Sequence, residues 1–301
     1  MFKLIKFIIG LVIFLILAVI IFGIVIIVLN RGNKPKAKTF TMDKKASEYT
    51  TLTVNVDVKD SYVVVKKGKT DYVSINYYGS TTREFTTSVE SDLLDNGTLT
   101  FKGYQTGKWY NRLFLTFKAT KVYGIEVEVP DDVNVNVKTD NGNIRFEGTY
   151  GGSLSADTTN GAVILKNVNA ISVDANTVNG NIEATSTNTS ILFNARTRKG
   201  KIVLDNLVSL MNINVINDNG KIEINNSYAT YDINLHSGKG DINGSIRLLS
   251  DSYYNIHAHA HNGESNIKDS NNAIAILDIF PTLTVTTDNG NINLELKKVI
   301  G

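Results

Sequence analysis

The sequence predicts an all-β protein whose main part is a single-stranded β-solenoid, preceded by one transmembrane helix. Three observations predict this fold: a repeat of 19–20 residues over residues 131–301, alternation of apolar and polar residues within each repeat, and an uncharged apolar run near the N-terminus. The chain of 301 residues contains no cysteine. Disulfide frameworks, zinc sites with cysteine ligands and thiol catalysis are therefore excluded.

Residues 1–30 are predicted to be a transmembrane signal anchor. From Phe7 to Leu29 the chain has no charged residue and consists almost entirely of Ile, Leu, Val and Phe. At about 1.5 Å of rise per residue this run forms roughly 34 Å of helix, enough to cross a bilayer core. It is too long for a cleavable signal peptide, and no small-residue cleavage site follows it. We therefore expect residues 7–29 to contact membrane lipid.

Residues 31–48 are predicted to be a basic juxtamembrane linker. Six basic residues and one acidic residue lie between positions 31 and 45, whereas 23 basic and 28 acidic residues follow position 45. Because nucleic-acid binding requires a basic surface, the mildly acidic body predicts no nucleic-acid partner. The positive-inside rule alone would place this body in the cytoplasm, so the topology stays open at this point.

Each repeat is marked by one glycine. The spacings between these glycines are 19, 19, 20, 20, 20, 23 and 27 residues, and the positions are Gly142, Gly161, Gly180, Gly200, Gly220, Gly240, Gly263 and Gly290. Apolar residues stand seven and five positions before the glycine and almost always two positions after it, and a hydroxyl residue usually stands three positions before it. This alternation predicts strands with one buried and one exposed face. Asparagine before most of the glycines predicts a tight turn with positive φ.

Two arrangements of these strands fit the pattern. Asn-Gly between alternating strands is a strong signal for antiparallel hairpins. A solenoid instead makes each repeat one coil and stacks equivalent positions about 4.8 Å apart. The nearly constant period favours the solenoid for residues 131–301. Residues 49–130 contain strands without the repeat, and we expect them to form a β-rich N-terminal part or cap that covers the edge of the first coil.

The segment YGIEVEVPDDVNVNVKTDNGNIRFEG resembles the entry signature of the bacterial putative-adhesin β-strand-repeat family, a domain of unknown function also called the toastrack domain. Pro130, Asn141, Gly142 and Ile144 occupy the positions of its strand-ending proline, Asn-Gly turn and following apolar strand. The similarity covers residues 49–300. It implies a membrane-anchored cell-envelope protein and supplies no catalytic residues. On this resemblance we place residues 31–301 outside the cytoplasm, against the charge rule.

Four histidines are the candidate metal ligands. His257, His259 and His261 fall on the outward face of one strand, and His236 and His259 both stand four residues before a repeat glycine. If consecutive coils stack in register, His236 and His259 are neighbours about 5 Å apart at Cβ. Neutral imidazoles in that arrangement can bind Zn²⁺, Cu²⁺ or Ni²⁺. An exposed ladder of polar side chains is the alternative interpretation.

No catalytic motif accompanies this architecture. Asp140, Asp218 and Asp288 share one turn position, but Asp140 and Asp218 are expected to lie roughly 19 Å apart, too far to act on one glycosidic bond. We therefore expect a non-enzymatic, membrane-anchored surface protein without a cofactor, adhesin-like or associated with envelope stress. Its polar face would contact a cell-wall glycan or another envelope protein. A glycan-active β-helical enzyme and a metal-binding module are the alternatives.

Overall fold

The computed structural model describes residues 10–22, 36–79, 83–105, 124–148, 151–248, 254–269 and 281–298. Residues 10–22 form a helix, and Ala46–Glu48 form a 3₁₀ turn. The described strands belong to one mixed sheet. They are β1 (Lys36–Thr41), β2 (Thr51–Val58), β3 (Val63–Lys67), β4 (Ser74–Gly79), β5 (Arg83–Ser91), β6 (Asn96–Gln105), β7 (Ile125–Val129), β8 (Val133–Thr139), β9 (Ile144–Glu147), β10 (Leu154–Thr158), β11 (Val163–Lys166), β12 (Asn169–Thr177), β13 (Ile182–Lys199), β14 (Ile202–Ser209), β15 (Asn212–Asn219), β16 (Ile222–Ala229), β17 (Ile233–Lys239), β18 (Ile242–Leu248), β19 (Asn255–Ala260), β20 (Ser265–Asp269), β21 (Thr282–Asn289) and β22 (Ile292–Lys298). The all-β prediction is confirmed.

The N-terminal helix of residues 10–22 exposes its large apolar side chains. No helix among the described residues combines the length and the hydrophobicity that a membrane crossing requires. The anchor predicted for residues 7–29 continues on both sides of this helix into residues 7–9 and 23–29, which lie outside the described ranges.

The repeat strands pair in parallel with the equivalent strands of neighbouring repeats. Ala156 pairs with Val137 on one side and with Ala175 on the other, an interval of 19 residues in both directions. Each repeat is thus one coil, with a strand before its glycine and another after it. We call the strands before the glycines the front layer and the strands after them the rear layer. Parallel pairing excludes the antiparallel-hairpin arrangement for the described coils.

The predicted inward columns form the core. In the coil of Gly200, the side chains of Phe193, Ala195 and Ile202 are at most 2% exposed. The coil of Gly263 departs from this pattern, since its Ile256 is 37% exposed. Burial of alternate residues explains why each strand shows a two-residue period in the sequence.

The repeat glycines are required because consecutive coils approach too closely for a side chain. A Cβ at Gly161 would lie 1.8 Å from the carbonyl oxygen of Gly142, and a Cβ at Gly200 would lie 2.0 Å from that of Gly180. The expected positive φ is wrong for these turns. Gly240 is the one repeat glycine of the described chain in that region, and the asparagines before the glycines are not in it. Close approach between coils, rather than turn conformation, selects glycine.

The hydroxyl column satisfies the same carbonyl groups. Thr158 Oγ1 donates a hydrogen bond of 2.9 Å to the Gly142 carbonyl, and the bond recurs along the stack from Thr177 to Gly161, Thr197 to Gly180, Ser237 to Gly220 and Thr287 to Gly240. Asn217, which interrupts this column in the sequence, donates through Nδ2 to the Gly200 carbonyl at 2.8 Å. Since these side chains are buried, each bond satisfies polar groups that water does not reach.

A second column, which the sequence analysis missed, lies six residues after the glycine. Its members have φ between 49° and 59°, and they are Gly148, Asn167, Ser186, Asn206 and Asn226. Glycine and asparagine tolerate this left-handed conformation better than most residues do. The bend turns the chain at the same place in five successive coils, from that of Gly142 to that of Gly220.

The order of coils in the stack differs from their order in the chain at both ends. Near the C-terminus, Leu283 of β21 pairs with Ile233 of β17 on one side and with Ile256 of β19 on the other. The coil of Gly290 is therefore inserted between the coils of Gly240 and Gly263. Near the N-terminus, Val54 of β2 lies between Leu99 of β6 and Val135 of β8.

Polar contacts fix the inserted coil of Gly290 in place. The Asn291 N–H donates to Asp241 Oδ1 at 3.0 Å, and Lys221 Nζ lies 3.2 Å from Asp241 Oδ2. The hydrogen bond from Asn291 and the bond from Lys221 lower the pKa of the Asp241 carboxyl group. The Thr282 N–H donates to Asp232 Oδ1 at 2.8 Å. The bonds from the Asn291 and Thr282 N–H groups connect the Gly290 coil to the Gly240 coil, the coil fifty residues earlier in the chain.

The N-terminal end of the stack is covered by antiparallel strands. Strand β1 pairs with β4, β4 pairs with β7, and β5 pairs with β6. The predicted linker is therefore wrong from Lys36 onward, because β1 joins the sheet and Met42 is 2% exposed in the core. The coil formed by β2 and β3 stacks on that of β8 and β9, so the stack itself begins N-terminal to residue 131.

Candidate functional site

A groove of about 410 Å³ crosses the outward face of the front layer. It runs over five successive coils of the stack, from that of Gly180 to that of Gly290. Alternation along the strands places its outward side chains in two rows, six and four residues before the repeat glycines: Asp174, Asn176, Asn194, Arg196, Asn214, Ile216, Asn234, His236, Thr284 and Thr286.

The row six residues before the glycines has a central ladder of asparagine amides. Asn214 Nδ2 donates to Asn194 Oδ1 at 3.2 Å, and Asn234 Nδ2 donates to Asn214 Oδ1 at 2.9 Å. Each amide has two donors and two acceptor lone pairs, so the ladder bonds leave further capacity directed away from the sheet. The result is a fixed row of donors and acceptors that repeats at about 4.8 Å.

The row four residues before the glycines is chemically mixed. It contains the guanidinium of Arg196, the 37% exposed side chain of Ile216 and the imidazole of His236. His236 Nδ1 lies 2.9 Å from Thr286 Oγ1, which holds the ring in one orientation. This row adds an apolar contact and a cation to the amide ladder.

The lining of the groove is poor in carboxylates. Among its described lining residues, Asp174 is the one carboxylate, and it accepts a hydrogen bond of 3.1 Å from Asn176 Nδ2. Glycoside hydrolysis generally requires two carboxyl groups within about 10 Å. Asp140 and Asp218, considered above as an acid pair, lie four coil steps apart in the stack, as predicted.

The structure does not bring His236 and His259 together. Thr286 pairs with His236 on one side and with His259 on the other, so two coil steps, about 9.6 Å, separate the histidines. The predicted stacking of this pair is wrong because the Gly290 coil is inserted between them.

The other histidines lie on the outermost described coil of the C-terminal end. His257 and His259 are exposed on β19, and the ring centroids of His259 and His261 are 6.1 Å apart. Within the described ranges, no group of three or more His, Cys, Asp or Glu side chains is arranged to hold a metal ion. Metal binding by His257, His259 and His261 stays a prediction, and the predicted site no longer includes His236.

Sequence reasoning identified a polar face but not the groove. The available signal was the recurrence of asparagine six residues before the glycine in three consecutive repeats, at Asn194, Asn214 and Asn234. The contribution of Thr284 and Thr286 could not be found from spacing, since it follows from the inserted coil.

Comparison with known proteins is consistent with this architecture. The family model described as Toastrack DUF4097 matches residues 51–295. No curated protein matches the chain.

Three solved structures are similar along most of their length. A putative cell adhesion protein from Clostridium sporogenes is 11% identical, with 88% of this chain and 100% of that chain covered and a TM-score of 0.28. A putative adhesin from Bacteroides fragilis is 12% identical, with coverage of 87% and 97% and a TM-score of 0.36. A putative lipid binding protein from Parabacteroides distasonis is 14% identical, with coverage of 88% and 97% and a TM-score of 0.33. TM-scores this low support no functional argument.

The coil order predicts which histidines can share a metal ion. We expect Zn²⁺ affinity, measured by calorimetry on the detergent-solubilised chain, to fall in His259→Ala and to stay unchanged in His236→Ala. Acid should release the metal, because imidazole coordinates in its neutral form. Equal losses in the two variants would contradict the separation of His236 from His259.

Proposed function

The chain belongs to the Toastrack DUF4097 family, and from this premise we propose that it is a non-enzymatic cell-surface protein that binds an extended envelope glycan. The binding site in this proposal is the groove of the front layer, presented on a rigid β-solenoid. Residues 7–29 anchor the protein in the membrane. The groove over five coils, with its asparagine ladder, is the observation that carries the proposal.

The chemistry of the groove supports a glycan as the ligand. Sugar hydroxyl groups both donate and accept hydrogen bonds, and the free capacity of Asn194, Asn214 and Asn234 offers both. Ile216 provides an apolar surface for the C–H face of a sugar ring. Because the amides are already held by one another, little side-chain entropy is lost when a polymer binds along them.

The membrane anchor is supported by the sequence of residues 7–29 and by the exposed apolar side chains of residues 10–22. An uncharged run of this length is typical of a membrane span. The family resemblance supports an extracytoplasmic repeat domain, whereas the basic residues after the run support the opposite topology.

The groove proposal predicts that Asn214→Ala weakens glycan binding about tenfold. The substitution removes the amide that connects Asn194 and Asn234, a loss of about one or two hydrogen bonds. Binding is measured by co-sedimentation of the detergent-solubilised chain with insoluble cell-wall glycan.

Asn243→Ala is the matched control for this measurement. Asn243 accepts the ladder bond of Asn293 Nδ2 at 3.0 Å, but it lies in the rear layer. We expect the Asn243→Ala variant to bind the glycan with the same affinity as the wild type. Equal losses in both variants, or no sedimentation of the wild type, would contradict the groove assignment. Soluble sugars released during incubation would support the enzymatic alternative.

The topology proposal predicts that protease added to intact cells or protoplasts removes the repeat domain. The domain should disappear from immunoblots without lysis, while a cytoplasmic control protein stays intact. Digestion that occurs only after lysis would place residues 31–301 in the cytoplasm, as the positive-inside rule alone predicts.

A further inference from the structure

An apolar stripe runs along one corner of the stack, outside the glycan groove. It consists of the residues nine positions before the glycine in four consecutive coils, together with one adjacent leucine: Ile171, Ile191, Met211, Tyr231 and Leu210. Their exposed fractions are 41%, 48%, 39%, 55% and 57% respectively. Single exposed apolar side chains are ordinary on protein surfaces, whereas exposed apolar side chains at one position of four consecutive coils form a candidate interaction surface.

Backbone hydrogen bonds hold the stripe rigid. The Tyr231 N–H donates to the Met211 carbonyl at 3.0 Å, and the Leu210 N–H donates to the Thr189 carbonyl at 2.9 Å. Met211 and Tyr231 therefore keep the coil spacing of about 4.8 Å, whereas the register between β12 and β13 shifts between Ala170 and Ser172, beside Ile171.

A second groove, of about 280 Å³, opens onto the stripe, since Ile171 and Leu210 of the stripe are among its lining residues. Gly151, Ala170, Val208 and Leu210 contribute to its mostly apolar wall, and none of its lining residues belongs to the glycan groove. One corner of the molecule thus carries both a row of apolar projections and a recess next to it.

The surroundings of the stripe are almost uncharged. Among the residues directly before and after its four columnar members, Asp232 is the one charged residue, and its carboxylate accepts a hydrogen bond from the Thr282 N–H. The stripe of a second copy of the chain can therefore approach this one without strong charge repulsion. None of these flanking residues is basic, so they offer no cation to an anionic lipid headgroup.

We propose that the stripe is a contact surface between two copies of this chain, which pack side by side with the stripe of each copy in the groove of the other. Both copies carry the same spacing, so their apolar side chains interdigitate along four coils. The stripe exposes on the order of a few hundred Å², less than the roughly 800 Å² per partner of stable complexes. The dimer is therefore weak in dilute solution. This inference is independent of the glycan proposal.

Site-specific cross-linking tests the contact directly, because the chain contains no cysteine and an introduced one is the only thiol. Full-length Ile191→Cys, Met211→Cys and an equal mixture of the two are oxidised in detergent. The control is Ile216→Cys, whose apolar side chain is 37% exposed on the front layer. We expect at least one stripe sample to form several-fold more covalent dimer than the control, and the mixture distinguishes antiparallel from parallel packing. Yields no higher than the control would overturn the proposal.

A charge introduced into the stripe should separate the copies. We expect Met211→Glu to lower the dimer fraction about tenfold in analytical ultracentrifugation, and Ile216→Glu to leave it unchanged. If circular dichroism shows that Met211→Glu is unfolded, Leu210→Glu replaces it, since its side chain is 57% exposed.

Three outcomes of these measurements would overturn the assignment. The first is a wild type that is monomeric at every concentration, and the second is a dimer that persists in both stripe variants. The third is a fluorophore attached in Met211→Cys that is quenched by spin-labelled phosphatidylcholine while the chain is monomeric. That result would assign the stripe to the bilayer surface.

Discussion

The stack depends on the contact between each repeat glycine from Gly161 onward and the glycine carbonyl of a neighbouring coil. The carbonyl oxygen of Gly180 occupies the space that a Cβ at Gly200 would need, and the same oxygen accepts a hydrogen bond from buried Thr197. One atom therefore limits how closely coils approach and fixes their register. Because side chains alternate with a period of two, this register decides which residues enter the core and which form outward rows.

Function in such a stack can be specified one residue per coil. The position six before the glycine supplies the amide ladder around Asn214, and the position nine before it supplies the apolar stripe around Met211. The inserted Gly290 coil shows that register, not order in the chain, determines which residues become neighbours. Thr286 completes the groove beside His236 although fifty residues separate them in sequence.

Local periodicity explains what the sequence could predict. The columns of Phe193, Ala195 and Ile202 recur at a nearly constant spacing, so their burial and the parallel register follow from the sequence. The coil order at the ends could not be predicted, because spacings of 23 and 27 residues indicate an irregularity without giving its geometry. The reason for the glycines was also missed, since the carbonyl that excludes a Cβ belongs to another coil. Strand β1 was missed because its basic residues obscured the alternation of Phe40 with Met42, which directly follows the strand.

The free energy of unfolding of Gly200→Ala tests the central claim most directly. Its methyl group would lie 2.0 Å from the Gly180 carbonyl oxygen, and we predict a loss of roughly 2–4 kcal/mol in urea unfolding. Lys199→Ala, at the exposed last residue of β13 directly before Gly200, should stay within about 0.5 kcal/mol of the wild type. A Gly200→Ala variant as stable as Lys199→Ala would contradict the claim that close approach of the glycines fixes the stack.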